Sequence, residues 1–188
     1  LTVVFSMFSY LALFYVNVVV SAQRKLRLMA TTDPLTRLLN RRQMKFLLEL
    51  EIERFRRSEH PVGLLLLDVD HFKQINDTHG HEAGDKVLET LARLLREQLR
   101  AQDLVARWGG EEFLVAMPNS DKEATQQAAE RIREATERFD WHQLITLSTP
   151  VTVSIGATQL EAEDEMSRVI SRADKALYQC KDQGRNQV

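Results

Sequence analysis

Cysteine is nearly missing from this sequence. Cys180 stands alone, which excludes an intramolecular disulfide and fits a reducing compartment. Near the end of a helical pattern, it reads as a half-buried small side chain. No CxxC, HExxH or GxxxxGK[ST] occurs, so the common zinc and P-loop chemistries are excluded. A surplus of either charge is missing too: 25 basic residues face 27 acidic ones, for a net charge of −2. A general nucleic-acid binder carries a basic excess, so nucleic acid is not expected among the partners. Internal repeats and low-complexity tracts do not occur. What remains is 188 residues, enough to bury one full core with something added.

The addition lies at the start. Leu, Val and Phe dominate residues 1–20, and the first charge is Arg24. As a helix, about twenty residues at 1.5 Å each span ~30 Å, the hydrocarbon thickness of a bilayer. Such side chains, at about −0.3 to −0.6 kcal/mol each, outweigh Asn17 and the few hydroxyls. Arg24, Lys25 and Arg27 follow, which by the positive-inside rule places the remainder in the cytoplasm. A secretory signal needs a basic stretch before the run and a small-residue cleavage site after it, and a core helix has a polar face. Neither pattern fits. Because the chain begins at Leu, this segment is expected to be the last transmembrane helix of a longer protein. Residues 21–32 read as a short basic linker helix, and 33–188 as one domain.

Within that domain, Thr32-Asp33-Pro34 offers a cap and a proline for a helix start. Leu35, Leu38, Leu39, Phe46, Leu47 and Leu50 then recur at helical spacing to about Ser58. Val62 to Asp70 is a continuous apolar run ending in acids, the pattern of a strand buried on both faces. On such a strand Asp68 and Asp70 share one face while Val69 points to the other. His71 to Asp77 reads as a helical turn, 78–81 as a loop, and Glu82 to Arg100 as a helix with Val87, Leu88, Leu91, Leu94, Leu95 and Leu99 buried. Asp103 to Pro118 reads as a β-hairpin whose Gly109-Gly110 supplies the positive φ of a tight turn. Helices are expected at about Lys122–Phe139 and Asp164–Asp182, the last capped at Gly184, with strands at Leu144–Leu147 and Val151–Thr158 between them. The order α-β-α-β-β-α-β-β-α gives an α+β fold with a mostly antiparallel sheet covered by helices.

Glu111 and Glu112 follow the hairpin turn directly, and Asp68 ends the first buried strand. If those strands are neighbours, the carboxylates converge, and like charges within a few ångströms need a proton or a metal between them. Hard oxygen donors without histidine or cysteine point to Mg2+ or Mn2+, which with few carboxylates also binds substrate phosphates. Lys181 and Arg185 face one side if the last helix continues through Gly184; the plainer reading is a solvated basic helix end. Asn76 and Asp85 combine donor and acceptor groups suited to a guanine edge, or serve only as a turn residue and an early-helix acid. His71, His79 and His81 match no metal spacing and read as loop structure.

The run Asp68-Val-Asp70-His-Phe-Lys-Gln-Ile-Asn76-Asp77-Thr-His-Gly80-His81-Glu-Ala-Gly84-Asp85, followed by Arg107-Trp-Gly-Gly-Glu-Glu-Phe113, resembles the GGDEF-domain diguanylate cyclases. The resemblance continues in Asp33-Pro-Leu-Thr-Arg-Leu-Leu-Asn-Arg-Arg42, Val153-Ser-Ile-Gly-Ala157 and Ala173-Asp-Lys-Ala-Leu-Tyr178 through Lys181-Asp-Gln-Gly-Arg-Asn186. It covers about residues 31–188, with two departures: Arg37 stands where the family often has glycine, and Glu111 where its name has aspartate.

The resemblance implies a ferredoxin-like nucleotidyl-cyclase palm that condenses two GTP into cyclic di-GMP, releasing two pyrophosphates. It implies Mg2+ (or Mn2+) held by the side chains of Asp68 and Glu111 and the backbone of Val69, with Glu112 in support. Asn76 and Asp85 would read guanine, Lys181 and Arg185 would hold terminal phosphates, and the backbone around Phe72 and Lys73 would approach them. One domain binds one GTP, so a homodimer is required. Arg100-Ala-Gln-Asp103, with Arg131, resembles an inhibitory product site, where the plainer reading is an ion pair at a helix end. The implied location is the bacterial inner membrane, with the catalytic domain in the cytoplasm. The alternatives are a catalytically silent cyclic di-GMP receptor, which would not need Asp68, Glu111, Lys181 and Arg185 together, and another nucleotidyl cyclase on a related palm, against which Asn76 and Asp85 argue.

Overall fold

The structure, a computed structural model, describes residues 31–144 and 150–188 together with Tyr15. Its elements are β1 (Leu39–Asn40), α1 (Arg41–Ser58), β2 (Val62–Val69), α2 (Phe72–His79), α3 (His81–Gln98), β3 (Leu104–Arg107), β4 (Glu112–Pro118), α4 (Lys122–Arg138), β5 (Val153–Gln159) and α5 (Met166–Asp182), with a 3-10 turn at Trp141–Gln143. The five strands form one sheet in the order β1-β3-β4-β2-β5. Only the short β1–β3 pairing is parallel; the others are antiparallel. The α+β architecture therefore stands as the hydrophobic pattern predicts.

β2 is the spine of the sheet. Every one of its residues is buried, because β4 and β5 flank it and helices cover both faces. Leu65, Leu67 and Val69 point into the larger cluster, with Val87, Leu88, Leu91 and Leu95 of α3 and Ala129 and Ile132 of α4. Leu64 and Leu66 point the other way, toward Met44 and Leu48 of α1 and Val169, Ala173 and Leu177 of α5. Each such leucine contributes about 1.5–3 kcal/mol of burial, which fixes the strand's register and so the position of the acids at its end.

Two expectations change, and two others fall largely outside the described residues. The first helix begins at Arg41, not at Pro34, because Asn40 is its N-cap and accepts from the Gln43 N–H at 2.9 Å. Asp33 instead closes a turn, its Oδ1 accepting from the N–H and hydroxyl of Thr36, both at 2.8 Å. Neither glycine of the hairpin uses a positive φ; among the described glycines only Gly80 and Gly184 do. Leu144 lies in the turn after the 3-10 segment, and the remainder of the strand expected at Leu144–Leu147 falls outside the described residues. The transmembrane helix at 1–20 and most of the linker helix at 21–32 also fall outside them. Thr32 forms an isolated bridge with Leu39, and among the described residues no helix is long and apolar enough to cross a membrane.

Candidate active site

Register decides which acids meet. In the β2–β4 ladder Asp68 stands opposite Glu112, and beyond it the Val69 N–H donates to the Glu111 carbonyl at 3.4 Å. The hairpin closes on the same residue, with the Trp108 and Gly109 N–H groups both donating to the Glu112 carbonyl, at 2.8 and 3.2 Å. A Cβ on Gly109 would sit 2.5 Å from Glu112 Oε2, so this glycine serves close approach of the carboxylate to the backbone. Arg107 clamps the tip, donating to the Gly110 carbonyl at 3.0 and 2.8 Å and pairing with Asp33 at 3.4 Å. Trp108 is buried in the α1 side of the core, with the Arg41 guanidinium over its ring at 4.7 Å.

Burial sets the electrostatics. Asp68 is buried at the strand end, and desolvation pushes its carboxyl above the ordinary range, opposed mainly by Lys181, whose Nζ lies 2.9 Å from Oδ2, and also by the charge of Arg185. Glu112 is pushed up by burial and then by the charge of Asp68, with Lys181 opposing. Two carboxylates facing each other across a ladder, each holding its proton more tightly than usual, form a site that favours added positive charge. Lys181 supplies one such charge. The remaining donors are hard oxygens, a set that fits a divalent cation of the Mg2+ type. Among the described residues no three His, Cys, Asp or Glu side chains form a ready cation cluster. The ladder sets Asp68 opposite Glu112, and Glu111 adjoins them, its carbonyl bonded to the Val69 N–H and its charge felt at Glu112.

The remaining sequence candidates lie on α2, α3 and the segment after α5. Phe72 and Lys73 form the first turn of α2, directly after the acids, where N–H groups have no intrahelical partners. Asn76 on α2 lies against Gly84 on α3, where any Cβ would overlap its side-chain oxygen, and Asp85 is exposed on the next position. The helical argument for Lys181 and Arg185 fails: α5 stops at Asp182, Gly184 takes φ 116°, and the Arg185 N–H returns to the Cys180 carbonyl at 2.9 Å in a Schellman closure. Arg185 nonetheless stays within electrostatic reach of Asp68. Cys180 is buried, its thiol pushed up by burial.

On the opposite side of the sheet, the Arg100 N–H donates to Asp103 Oδ2 at 2.8 Å, and Arg131 of α4 caps α3 through the Gln98 carbonyl at 2.7 Å. Burial pushes the Asp103 carboxyl up against the charges of Arg100 and Arg131, and among the described residues its buried Oδ1 has no hydrogen-bond partner.

Residues 30–187 match the family described as "Diguanylate cyclase, GGDEF domain". The chain belongs to that family. Among curated relatives of this GGDEF domain, diguanylate cyclase DgcP of Pseudomonas aeruginosa is 44% identical over 159 residues, 85% of this chain and 24% of DgcP. Response regulator PleD of Caulobacter vibrioides is 40% identical over 163 residues, 85% of this chain and 36% of PleD. The chain thus spans about a quarter to a third of the curated relatives it matches. Among solved structures, the coiled coil and GGDEF domain of DgcB from Caulobacter crescentus, in complex with c-di-GMP, superposes with a TM-score of 0.87 at 30% identity, covering 94% of each chain. The active GGEEF domain of a diguanylate cyclase from Vibrio cholerae gives 0.75 at 31% identity, over 80% of this chain and 95% of that one.

Sequence reasoning missed the role of Asp70 in this GGDEF domain. It does not join Asp68 at the site. Nearly fully buried, it accepts from Thr152 Oγ1 and Ser154 Oγ, each at 2.7 Å, and from the Asn186 N–H at 3.1 Å. The only signal for this in the sequence was a Thr and a Ser at alternate positions entering β5, which becomes informative once β5 is known to lie beside β2.

Proposed function

We propose that this GGDEF domain is an active diguanylate cyclase, condensing two GTP into cyclic di-GMP and releasing two pyrophosphates across a homodimer. The observation that carries the reading is the registered Asp68–Glu112 pair with Lys181 at its side. The names of DgcP and the Vibrio cholerae protein support it. Asp68, Glu111 and the Val69 carbonyl would hold Mg2+ (or Mn2+), which when bound neutralises phosphoryl charge and makes the attacking hydroxyl more acidic. Asn76 and Asp85 bind the guanine edge. The first-turn N–H groups at Phe72 and Lys73, with Lys181 and Arg185, hold the phosphates.

Two domains meet with their hairpins facing, so that the 3′-oxygen of one GTP forms a bond to the α-phosphorus of the other. The bond from that phosphorus to the bridging oxygen breaks and pyrophosphate leaves; the same exchange in the other direction closes the ring. Glu112, with its raised proton affinity, is suited to take the hydroxyl proton. Holding both substrates removes much of the entropic cost of the encounter. Arg100, Asp103 and Arg131, with the unpaired Asp103 oxygen, form the product-binding inhibitory site of the same reading. Residues 1–20 tether the domain to the bacterial inner membrane with the catalytic side in the cytoplasm, a reading supported by their hydropathy and by Arg24, Lys25 and Arg27.

The test is incubation of the dimeric chain with GTP and Mg2+, with product identified by chromatography. Cyclic di-GMP is expected, and Glu111→Ala should lower turnover by at least about a hundredfold, more than the loss of an outer-sphere partner. No cyclic product, or undiminished turnover of the variant, would end the reading.

A further inference from the structure

The segment after α5 is held more firmly than a chain end requires. Arg185 and Asn186 both sit in the left-handed region, at φ 66° and 47°. Asparagine tolerates that conformation and arginine does not favour it, so neighbouring structure must impose it. Asn186 is engaged at three atoms. Its N–H donates to Asp70 Oδ2 at 3.1 Å, its Nδ2 donates to Glu137 Oε1 at 2.7 Å, and its Oδ1 accepts from the Arg133 guanidinium at 3.0 Å. Arg133 and Glu137 belong to α4 and are themselves paired at 2.8 Å. Gln187 adds two more ties, its carbonyl accepting from the Ile155 N–H and its Nε2 donating to the Cys180 carbonyl, each at 2.9 Å. Asp70 is in turn fixed by Thr152 and Ser154.

The segment is therefore pinned at once from Asp70, just past the end of β2, and from β5, α4 and α5. The backbone of Arg185 is tied in as well, through its N–H to the Cys180 carbonyl, but among the described residues its exposed side chain makes no hydrogen bond, and its charge is felt at Asp68. We propose that Asn186 is a positioning residue: anchored by Asp70, Arg133 and Glu137, it holds Arg185 in the conformation that directs its charge to the Asp68 end of the sheet. In doing so it sets how strongly the terminal phosphates of the substrate are bound. Its side chain is spent on α4, so it does not touch substrate itself. The proposal rests on reading Arg185 as a phosphate-binding cation.

The experiment compares the affinities of the full chain for a non-hydrolysable GTP analogue and for GMP, which shares the guanine but lacks the terminal phosphates. Arg185→Ala should weaken the analogue by about tenfold, the size of one charge-assisted contact, and leave GMP nearly unchanged. Asn186→Ala should narrow the same ratio by a similar factor, and the double variant should lose no more than Arg185→Ala alone. Glu137→Gln, a change at a half-buried position that keeps the side-chain shape, should narrow it partially and serves if Asn186→Ala does not fold. A purely structural Asn186 would lower the melting temperature while leaving the ratio of the two affinities intact, and that result, or additive losses in the double variant, overturns the proposal. If Arg185→Ala itself leaves the ratio unchanged, the phosphate assignment falls and the positioning role with it; if only Asn186→Ala does, the positioning role alone is removed.

Discussion

At the scale of single residues, the site is governed by how costly it is to ionise carboxylates where they stand. Among the described residues Glu112 has no direct ion pair, and burial together with the charge of Asp68 raises its pKa above the ordinary 4.5. A group whose folded pKa is raised binds protons more tightly in the native state, so its stabilising contribution is complete below the ordinary value and is lost as pH rises through the folded value. Glu112→Gln cannot ionise and escapes that loss. Its melting temperature should match that of the wild type in acid, then exceed it modestly once pH has passed the raised value, and remain higher at neutrality while turnover falls. Thermal melts of both proteins across that range provide the check. A gap that does not change with pH would mean that the Asp68–Glu112 repulsion has been misjudged. Adding Mg2+ at neutral pH should stabilise the wild type more than the variant, since the cation relieves the same repulsion.

At the scale of elements, α5 is placed by one glycine. A Cβ on Gly156 of β5 would overlap the Ala173 carbonyl oxygen and come within 2.5 Å of the Leu177 backbone nitrogen, so the helix backbone lies directly on the strand. Gly156→Ala must lift α5, and since backbone cannot rotate away as a side chain can, the cost should be about 1–3 kcal/mol or more. That corresponds to a fall of roughly 2–10 °C in melting temperature. Lys181 lies one turn beyond Leu177 and reaches Asp68 from this helix, so turnover should fall as well. Unchanged melting and turnover would show that the sheet and helix can separate freely. The same interplay explains what was legible in the sequence. β2 was readable because burial on both faces leaves an unbroken apolar run from Val62 to Leu67, ahead of Asp68, and α3 because its stripe faces a single core. The start of α1 was not readable, since Asp33-Pro34 and Asn40 are both acceptable caps; only the pairing of β1 with β3 and of Asp33 with Arg107 selects the second. Arg37, at φ 59° in that turn, shows why glycine suits the position in the family. The anchoring role of Asp70 and the non-helical placement of Arg185 were not readable because tertiary hydrogen bonds and a Schellman closure, rather than strand or helix periodicity, decide them.

At the scale of the whole molecule, the limiting fact is that each chain presents one such site. Asp68, Glu112 and Lys181 come from β2, β4 and α5 of the same domain, whereas closing a ring of two nucleotides requires two bonds formed in opposite directions. On the proposed reaction, a pair of domains with one damaged site would still form one of those bonds and stop at a linear dinucleotide. Mixing wild-type chains with Glu111→Ala chains separates this from independent action. With equal amounts and random pairing, about a quarter of pairs would carry two intact sites, so cyclic product per wild-type chain should fall to about half. Linear dinucleotide should appear in the mixture in proportion to the mixed pairs. Were a single domain able to complete the reaction, output per wild-type chain would not depend on the added variant, and dilution would leave specific activity unchanged as well. If pairing controls the proposed reaction, any tether at the N-terminal end gains a physical lever, since holding two domains together raises their effective concentration without altering any residue of the site.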